Sequence, residues 1–174
     1  MPRQLLLLRH AKSSWDDPSL ADHDRPLGKR GRKAAAAMRV AILSRGLAPD
    51  LALVSTARRT RDTFAALEPL PRSSRVMFLD ALYHASPAAM LELLHEVEMS
   101  RLCVLLVGHN PGLMELATLL AGGDEGVLAQ RLASGFPTGA LARFAVEGPW
   151  SAFSAGSAKL IDFVVPRELK GAKS

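Results

Sequence analysis

The feature of this chain that most constrains its fold is a run of four leucines, Leu5–Leu8, which ends abruptly at Arg9-His10. A continuous apolar run of this length indicates a strand that is buried on both faces of a sheet. The carboxyl ends of such strands form the edge at which open α/β sheets bind their ligands. We therefore predict a strand over Gln4–Arg9, with a guanidinium and an imidazole at a ligand-binding edge.

Apolar runs and helix signals alternate along the rest of the chain. The predicted helices cover Lys29–Arg45, Ala57–Leu67, Pro87–Val97 and Pro111–Ala121. The further predicted strands are Leu51–Ser55, Val76–Leu79, Cys103–Val107, Ala140–Val146 and Lys159–Val165, and Asp124–Pro137 is predicted to be irregular. This order predicts a three-layer α/β fold with helices on both faces of a mainly parallel sheet. Because no helix separates the last two strands, we expect the sheet to be mixed.

The length of 174 residues indicates one domain, which we place over residues 1–166, followed by a polar C-terminal tail over 167–174. The net charge is +5, and much of the basic excess lies in Arg25–Arg45 and Arg58–Arg61. A basic balance favours anionic partners. Nucleic acid is not expected, because aromatic residues make up only 5% of the chain and do not interleave with the basic stretches.

Cysteine content and hydropathy indicate the compartment. Cys103 is the single cysteine, so an internal disulfide framework is excluded. The leucine run is too short for the core of a signal peptide, and no apolar stretch approaches the length of a membrane span. We therefore expect a cytoplasmic protein without a membrane partner.

Polar groups follow four of the predicted strands. They are Arg9-His10, Ser55–Arg61, Asp80–His84 and Gly108–Gly112, the last of which contains His109. In a mainly parallel sheet all four groups meet at one edge. The sequence therefore predicts one site that is built from histidines and arginines.

Histidines and arginines that converge in this way indicate phosphoryl transfer. The planar fork of arginine binds phosphate oxygens in pairs, and a neutral imidazole attacks phosphorus to give a phosphohistidine. The N-terminus of the helix that opens at Pro111 adds an anion-binding element. Asp22-His23-Asp24 is the one candidate metal cluster, but three consecutive residues rarely face one ion. We therefore predict neither a metal nor a cofactor.

Three motifs carry a resemblance to a known family. The first is Leu8–Ala11, the second is Ser55-x3-Arg59-x3-Thr63 and the third is Val107–Asn110. In this order they resemble the signatures of the histidine phosphatase superfamily, which is also called phosphoglycerate mutase-like. The short chain and Asp24–Leu27 resemble the SixA-like branch of phosphohistidine phosphatases. The resemblance implies a metal-independent phosphohydrolase that works through a phosphohistidine intermediate.

The resemblance also implies roles for individual residues. His10 corresponds to the nucleophile, Arg9 and Arg59 to the arginines that clamp the phosphate, and His109 to the histidine that hydrogen-bonds the transferring group. Arg25, Lys12 and Asn110 are further candidates for binding substrate. Arg58 stays an alternative to Arg59, since adjacent positions of a helix differ by about 100° in direction. The pocket is expected to bind phosphate, sulfate or tungstate-like anions.

Two departures from the family pattern bear on backbone geometry and on substrate. Ala11 stands where the superfamily usually has glycine, and because alanine tolerates positive φ poorly we expect ordinary backbone geometry there. No glutamate fills the place of the general acid, and Asp80, Tyr83 and His84 lie in that region without matching it. We treat Asp80 as the possible acid.

The missing acid favours one substrate class over another. An alkoxide leaving group needs protonation, which is worth about 10²–10⁴-fold in rate, whereas phosphohistidine releases a neutral imidazole. The sequence therefore predicts a phosphohistidine-carrying protein as substrate. A small-molecule phosphomonoesterase that uses Asp80, and a non-catalytic phosphoprotein-binding module, are the alternatives. The basic stretch Lys29–Lys33 is predicted to be a solvated helix start, with an acidic partner protein as the alternative.

Overall fold

The computed structural model describes residues 2–71 and 74–171, which form a six-stranded mixed sheet between two layers of helices. The strands are β1 (Arg3–Arg9), β2 (Leu51–Ser55), β3 (Arg75–Leu79), β4 (Cys103–Gly108), β5 (Leu141–Val146) and β6 (Ala158–Val164). Their order across the sheet is β3-β2-β4-β1-β5-β6. The first four are parallel, whereas β5 and β6 are antiparallel to their neighbours. The predicted fold class is confirmed.

The helices cover both faces of this sheet. They are α1 (Lys29–Ser44), α2 (Arg58–Ala65), α3 (Pro87–His95), α4 (Gly112–Ala121) and α5 (Val127–Ala133). Side chains of α1 and α2 pack in one apolar cluster, and those of α3, α4 and α5 pack in the other. Leu5 and Leu7 point into the second cluster and Leu6 and Leu8 into the first, and all four are fully buried. The leucine run is therefore a central strand that is covered on both faces.

Two sequence predictions about local structure are wrong. Helix α5 lies within the stretch that was predicted to be irregular, where Leu128 and Leu132, one turn apart, pack against the core. Helix α4 was predicted to begin at Pro111, but it begins at Gly112. Asn110 lies before the helix and caps it, because its Oδ1 accepts the Met114 N–H at 3.3 Å.

The described chain continues past the end of the predicted domain. Residues Pro166–Gly171 form a 3-10 helix, Leu169 packs against the cluster on the α1 side, and Glu168 accepts a 2.6 Å bond from Arg131. Within the predicted tail, Glu168 and Leu169 therefore contact the domain, whereas 172–174 lie outside the described residues. In the described ranges, no helix has both the length and the apolar character that a bilayer crossing requires.

Candidate active site

The register of the sheet brings the predicted histidines together. Arg9 at the end of β1 is paired with Gly108 at the end of β4, so that His10 and His109 follow neighbouring strand ends. Their ring centroids are 5.3 Å apart. Strand β2 lies on the other side of β4 and ends at Ser55. Three of the four predicted polar groups therefore converge through adjacent parallel strands.

The ring of His10 is held in one tautomer. Its Nδ1 lies 2.8 Å from the carbonyl oxygen of Ala11, and because a carbonyl only accepts, Nδ1 carries the proton. The pKa of His10 is lowered to about 4, chiefly by burial and also by the positive charges of Arg59, Arg9 and Arg25, whereas the bond to Ala11 acts in the opposite direction. The imidazole is therefore neutral at pH 7, with the lone pair on Nε2. That is the state in which histidine is a nucleophile.

His109 is also neutral and has the opposite tautomer. Its Nδ1 accepts from Arg59 Nη2 at 3.4 Å, so Nε2 carries the proton and donates to Ser55 Oγ at 2.7 Å. Burial lowers its pKa to about 3, and interactions with His10 and Arg59 act in the same direction. Ser55 and Arg59, which both belong to the second motif, thus hold the ring of His109 in one orientation.

Arg9 and Arg25 approach the histidines from two different segments. Arg9 Nη1 donates to the Phe136 carbonyl at 2.9 Å. Arg25 is buried, its Nη2 donates to Ser13 Oγ, and its guanidinium lies 3.4 Å from the ring centroid of Trp15. Trp15 is itself 74% exposed, so it covers the outer face of the guanidinium. The charge of Arg25 lowers the pKa of His10, and its predicted role in binding substrate stays a prediction.

Arg59, not Arg58, is the second-motif arginine that faces the site. Arg59 is 3% exposed and contacts His109, whereas the Arg58 side chain is 59% exposed and lies 3.8 Å from Asp62. Arg59 Nη1 and Nη2 donate to the carbonyl and the carboxylate of Asp22 at 2.7 and 3.0 Å. The guanidinium is therefore held at two of its nitrogens.

Several guanidinium N–H groups at the site have no hydrogen-bond partner among the described residues. They are Arg9 Nε, Arg25 Nε, Arg25 Nη1 and Arg59 Nε, and all four nitrogens are buried. Arg25 Nε has an ion-pair contact with Asp22 Oδ1 at 3.8 Å, which is too long for a hydrogen bond. Buried donors without an acceptor are costly. This donor set around a neutral histidine has the chemistry to bind an oxyanion such as a phosphoryl group.

The spacing of the second motif has a structural reason. Thr63 Oγ1 accepts the Ala11 N–H at 3.0 Å and donates to the Arg59 carbonyl at 2.6 Å, one turn earlier on α2. Thr63 thereby docks α2 onto the segment that follows His10. Ala11 is fully buried, and among the described non-glycine residues only His84 has a positive φ. The expectation of ordinary backbone geometry at Ala11 is confirmed.

Asp22 is a site residue that the sequence analysis missed, since it was considered only as a metal ligand. Its Oδ2 accepts from Arg59 and, at 2.5 Å, from the Tyr83 hydroxyl, and it lies 3.5 Å from His84 Nε2. The Tyr83 bond lowers the pKa of Asp22 to about 2, the charges of Arg59 and Arg25 act in the same direction, and burial opposes them. This ionised carboxylate orients Arg59. Its position three residues before Arg25, in the same polar loop, was the available signal.

The C-terminal end of the segment Asp80–His84 lies at the rim of the site. The rings of Tyr83 and His84 each lie 5.4 Å from that of His109. His84 is exposed and has a φ of 52°, in the left-handed region. Asp80 is exposed and accepts from the Thr56 hydroxyl at 2.6 Å. The acid role of Asp80 stays a prediction.

The remaining predicted residues differ in position. Asn110 Nδ2 donates at 3.0 Å to the Phe136 carbonyl, the acceptor that Arg9 also uses, and its role in binding substrate stays a prediction. Lys12 is exposed and lines a groove on the α1 side. Within the described ranges, no group of three His, Cys, Asp or Glu side chains is arranged to hold a metal ion.

Comparisons with known proteins agree with this geometry. The family model of the histidine phosphatase superfamily (branch 1) matches residues 5–83. A candidate phosphohistidine phosphatase, SixA, from Agrobacterium tumefaciens is 33% identical with a TM-score of 0.81, and the match covers 95% of this chain and 99% of that chain. A candidate SixA from Nakamurella multipartitia is 29% identical with a TM-score of 0.85, covering 95% and 97%. An uncharacterized protein of Mycobacterium tuberculosis (strain H37Rv) is 36% identical over 92% of this chain and 100% of that protein.

Proposed function

Because this chain belongs to the histidine phosphatase superfamily, in its SixA-like branch, we propose that this phosphatase removes the phosphoryl group from phosphohistidine on a protein, without a metal ion. The observation that carries the proposal is the buried, neutral His10, which has its lone pair on Nε2 and whose pKa is lowered by the charges of three arginines. A nucleophile beside an anion clamp supplies positioning and charge neutralisation, which are the main requirements of phosphoryl transfer.

In the first step, His10 Nε2 attacks phosphorus, a new N–P bond forms, and the N–P bond of the substrate breaks. The electron pair of that bond returns to the substrate imidazole, which leaves neutral because its other nitrogen keeps its proton. Arg9, Arg25 and Arg59 neutralise the phosphoryl oxygens, and the role predicted for His109 requires its Nε2–H to turn from Ser55 Oγ to the transferring group. In the second step, the oxygen of a water molecule bonds to phosphorus and the N–P bond of phospho-His10 breaks, with its electron pair returning to His10 Nε2. The water molecule gives up a proton to solvent, and inorganic phosphate leaves.

The neutral leaving group explains why no carboxylic acid is needed in the first step. A phosphate ester, in contrast, releases an alkoxide that gains about 10²–10⁴-fold from a positioned acid. Asp22, the carboxylate closest to the arginines, has a pKa of about 2 and is a poor acid at pH 7.

A small-molecule phosphomonoesterase is the second candidate function. It is favoured by one observation, namely that Tyr83 and His84, which follow Asp80, place their rings close to His109 and thus bring the predicted acid region to the site. This candidate predicts that Asp80→Asn strongly lowers the hydrolysis of phosphate esters.

The test is phosphate release in the presence of a chelator, from a histidine-phosphorylated protein and from a panel of phosphate esters. Wild type is compared with His10→Ala and with His95→Ala as a matched control, because His95 bonds the Phe153 carbonyl away from the site. We expect His10→Ala to abolish release from phosphohistidine and His95→Ala to leave it unchanged. An acid-labile phosphoenzyme should form in wild type and be absent from His10→Ala.

Other results would contradict the proposal in distinct ways. Faster release from esters, with loss in Asp80→Asn, would establish the phosphomonoesterase. Tight binding of phosphate or tungstate without turnover would establish the non-catalytic binding module. Activity that disappears in the chelator and returns with a divalent metal would disprove the metal-independent mechanism.

A further inference from the structure

A strongly basic groove lies beside the candidate active site. It has a volume of about 240 Å³, and four cationic side chains line it. They are Lys12, Arg30, Lys33 and Arg167. The other lining residues are Ala34, Pro137, Thr138, Val165 and Pro166, so no acidic residue takes part. We call this surface the basic groove.

The fold brings the basic groove together from distant parts of the chain. Gly31 allows the first turn of α1 to pack against the Lys12 backbone, since a Cβ at Gly31 would lie 2.0 Å from the Lys12 carbonyl oxygen. The same carbonyl accepts the Gly28 N–H at 3.0 Å. On the opposite side, a Cβ at Gly139 would lie 3.0 Å from Pro166 Cγ. The segments that carry the cations are thus held together by close packing at Gly31 and Gly139.

The charges of the basic groove are not used for folding. Among the described residues, none of the four cations forms an ion pair, and the neighbouring Glu168 is engaged by Arg131. Helix α1 has no acidic residue in its first turn, where the helix dipole favours anions, and instead begins with Lys29 and Arg30. This placement works against helix stability. A positive surface of this kind attracts anionic partners.

The basic groove lies at the same edge of the sheet as the candidate active site, because β6 runs in the same direction as β1 and leads into Val165–Arg167. Lys12 follows His10 by two residues, and the Gly139 N–H donates to the carbonyls of Arg9 and His10 at 3.1 and 3.0 Å. Pro137 directly follows Phe136, whose carbonyl accepts from Arg9. A polypeptide whose histidine reaches His10 would therefore pass its neighbouring residues over the groove.

We propose that the basic groove docks an acidic segment of the phosphoprotein whose phosphohistidine enters the active site. This inference rests on the proposed function, because it names the partner surface of the same site. The groove has no aromatic lining side chain on which a base would stack. An acidic polypeptide therefore fits it better than a single-stranded nucleic acid.

The test uses two synthetic phosphohistidine peptides of equal length, one flanked by glutamates and the other by glutamines. The groove variant is Lys33→Gln/Arg167→Gln, and the matched control is Arg75→Gln/Lys159→Gln, which removes two charges outside the groove. We expect the groove variant to lose about tenfold in kcat/KM on the glutamate peptide at low salt, since rim charges act on association. The groove variant should keep the wild-type kcat/KM on the glutamine peptide and on p-nitrophenyl phosphate. The control variant should keep the wild-type kcat/KM on all three substrates. Added salt should shrink the loss.

A second readout does not depend on catalysis. Fluorescence anisotropy measures binding of the unphosphorylated glutamate peptide, its glutamine counterpart and a labelled single-stranded oligonucleotide. We expect the glutamate peptide to bind best and to lose about tenfold in affinity in the groove variant only.

The proposal fails if wild type does not bind the glutamate peptide more tightly than the glutamine peptide. It also fails if the groove variant and the control variant lose kcat/KM or affinity for the glutamate peptide equally. Tighter, groove-dependent binding of the oligonucleotide would reassign the surface to nucleic acid. No turnover of either phosphohistidine peptide, together with intact preference for the glutamate peptide in binding, would overturn the proposed substrate while supporting the docking surface.

Discussion

The protonation of His10 offers the sharpest test of the site, and the perturbation is pH. In the folded protein its pKa is about 4, against an ordinary value of 6.5, chiefly because the ring is buried. The neutral fraction at pH 5.5 is therefore about 97%, whereas an unperturbed histidine would be about 9% neutral. A site whose nucleophile has an ordinary pKa would be about tenfold less active at pH 5.5 than at a pH where it is fully neutral. This site should keep its activity at pH 5.5.

The same difference makes folding stability depend on pH. Because the folded pKa lies below the unfolded value, the unfolded chain binds more protons between pH 6.5 and 4, and stability falls as the pH falls through that window. For His10 alone the loss between pH 8 and pH 5 is about 2 kcal/mol, and it reaches about 3 kcal/mol at pH 4. His10→Gln removes this contribution.

NMR of the ligand-free protein measures the titration directly. The His10 ring, assigned by its absence in His10→Gln, should titrate near pH 4 with the proton on Nδ1. Urea unfolding at pH 8 and pH 5 should show a free energy of unfolding that falls by about 2 kcal/mol more in wild type than in His10→Gln. A midpoint near 6.5, or a proton on Nε2, would refute the assignment of His10 as the neutral nucleophile.

Three further predictions follow from the contacts at the site and at the first turn of α1. Arg59→Lys should lower kcat/KM by about 10²–10³-fold, because it removes the planar fork, whereas the exposed neighbour in Arg58→Lys should stay within about twofold; equal losses would contradict the assignment of Arg59. Asp22→Asn should lower kcat/KM by about tenfold, because Arg59 loses the carboxylate that orients it. In urea unfolding near pH 7 it should lower the free energy of unfolding by about 1 kcal/mol, a modest value because the carboxylate is half-exposed. Since the pKa of Asp22 is lowered, this stability difference should vanish as the pH falls from about 4 through about 2, and its persistence at low pH would exclude the charge as the cause. Gly31→Ala should cost about 2 kcal/mol in urea unfolding, because the new Cβ would lie 2.0 Å from the Lys12 carbonyl, and an unchanged midpoint would contradict the packing at the groove.

The sequence by itself determined the class of fold and the members of the site that follow strands. Leu5–Leu8 is apolar without alternation, which is typical of a strand covered on both faces, and the structure buries all four side chains. Parallel strands align their carboxyl ends, so residues directly after them, such as His10 and His109, converge whatever the details of packing. These inferences depend on local pattern and on strand geometry alone.

Tertiary structure decided the contacts that join segments distant in the chain. Only the tertiary structure shows that Asp22 accepts a hydrogen bond from Arg59, 37 residues away, and that Tyr83 donates to the same carboxylate. The tautomer and low pKa of His10 likewise depend on burial and on arginines from three segments, which no local pattern encodes. The choice between Arg58 and Arg59 depends on how α2 is oriented about its axis against the sheet, which the sequence does not show. The two arginines are adjacent in the sequence, but Arg59 is buried and Arg58 is exposed.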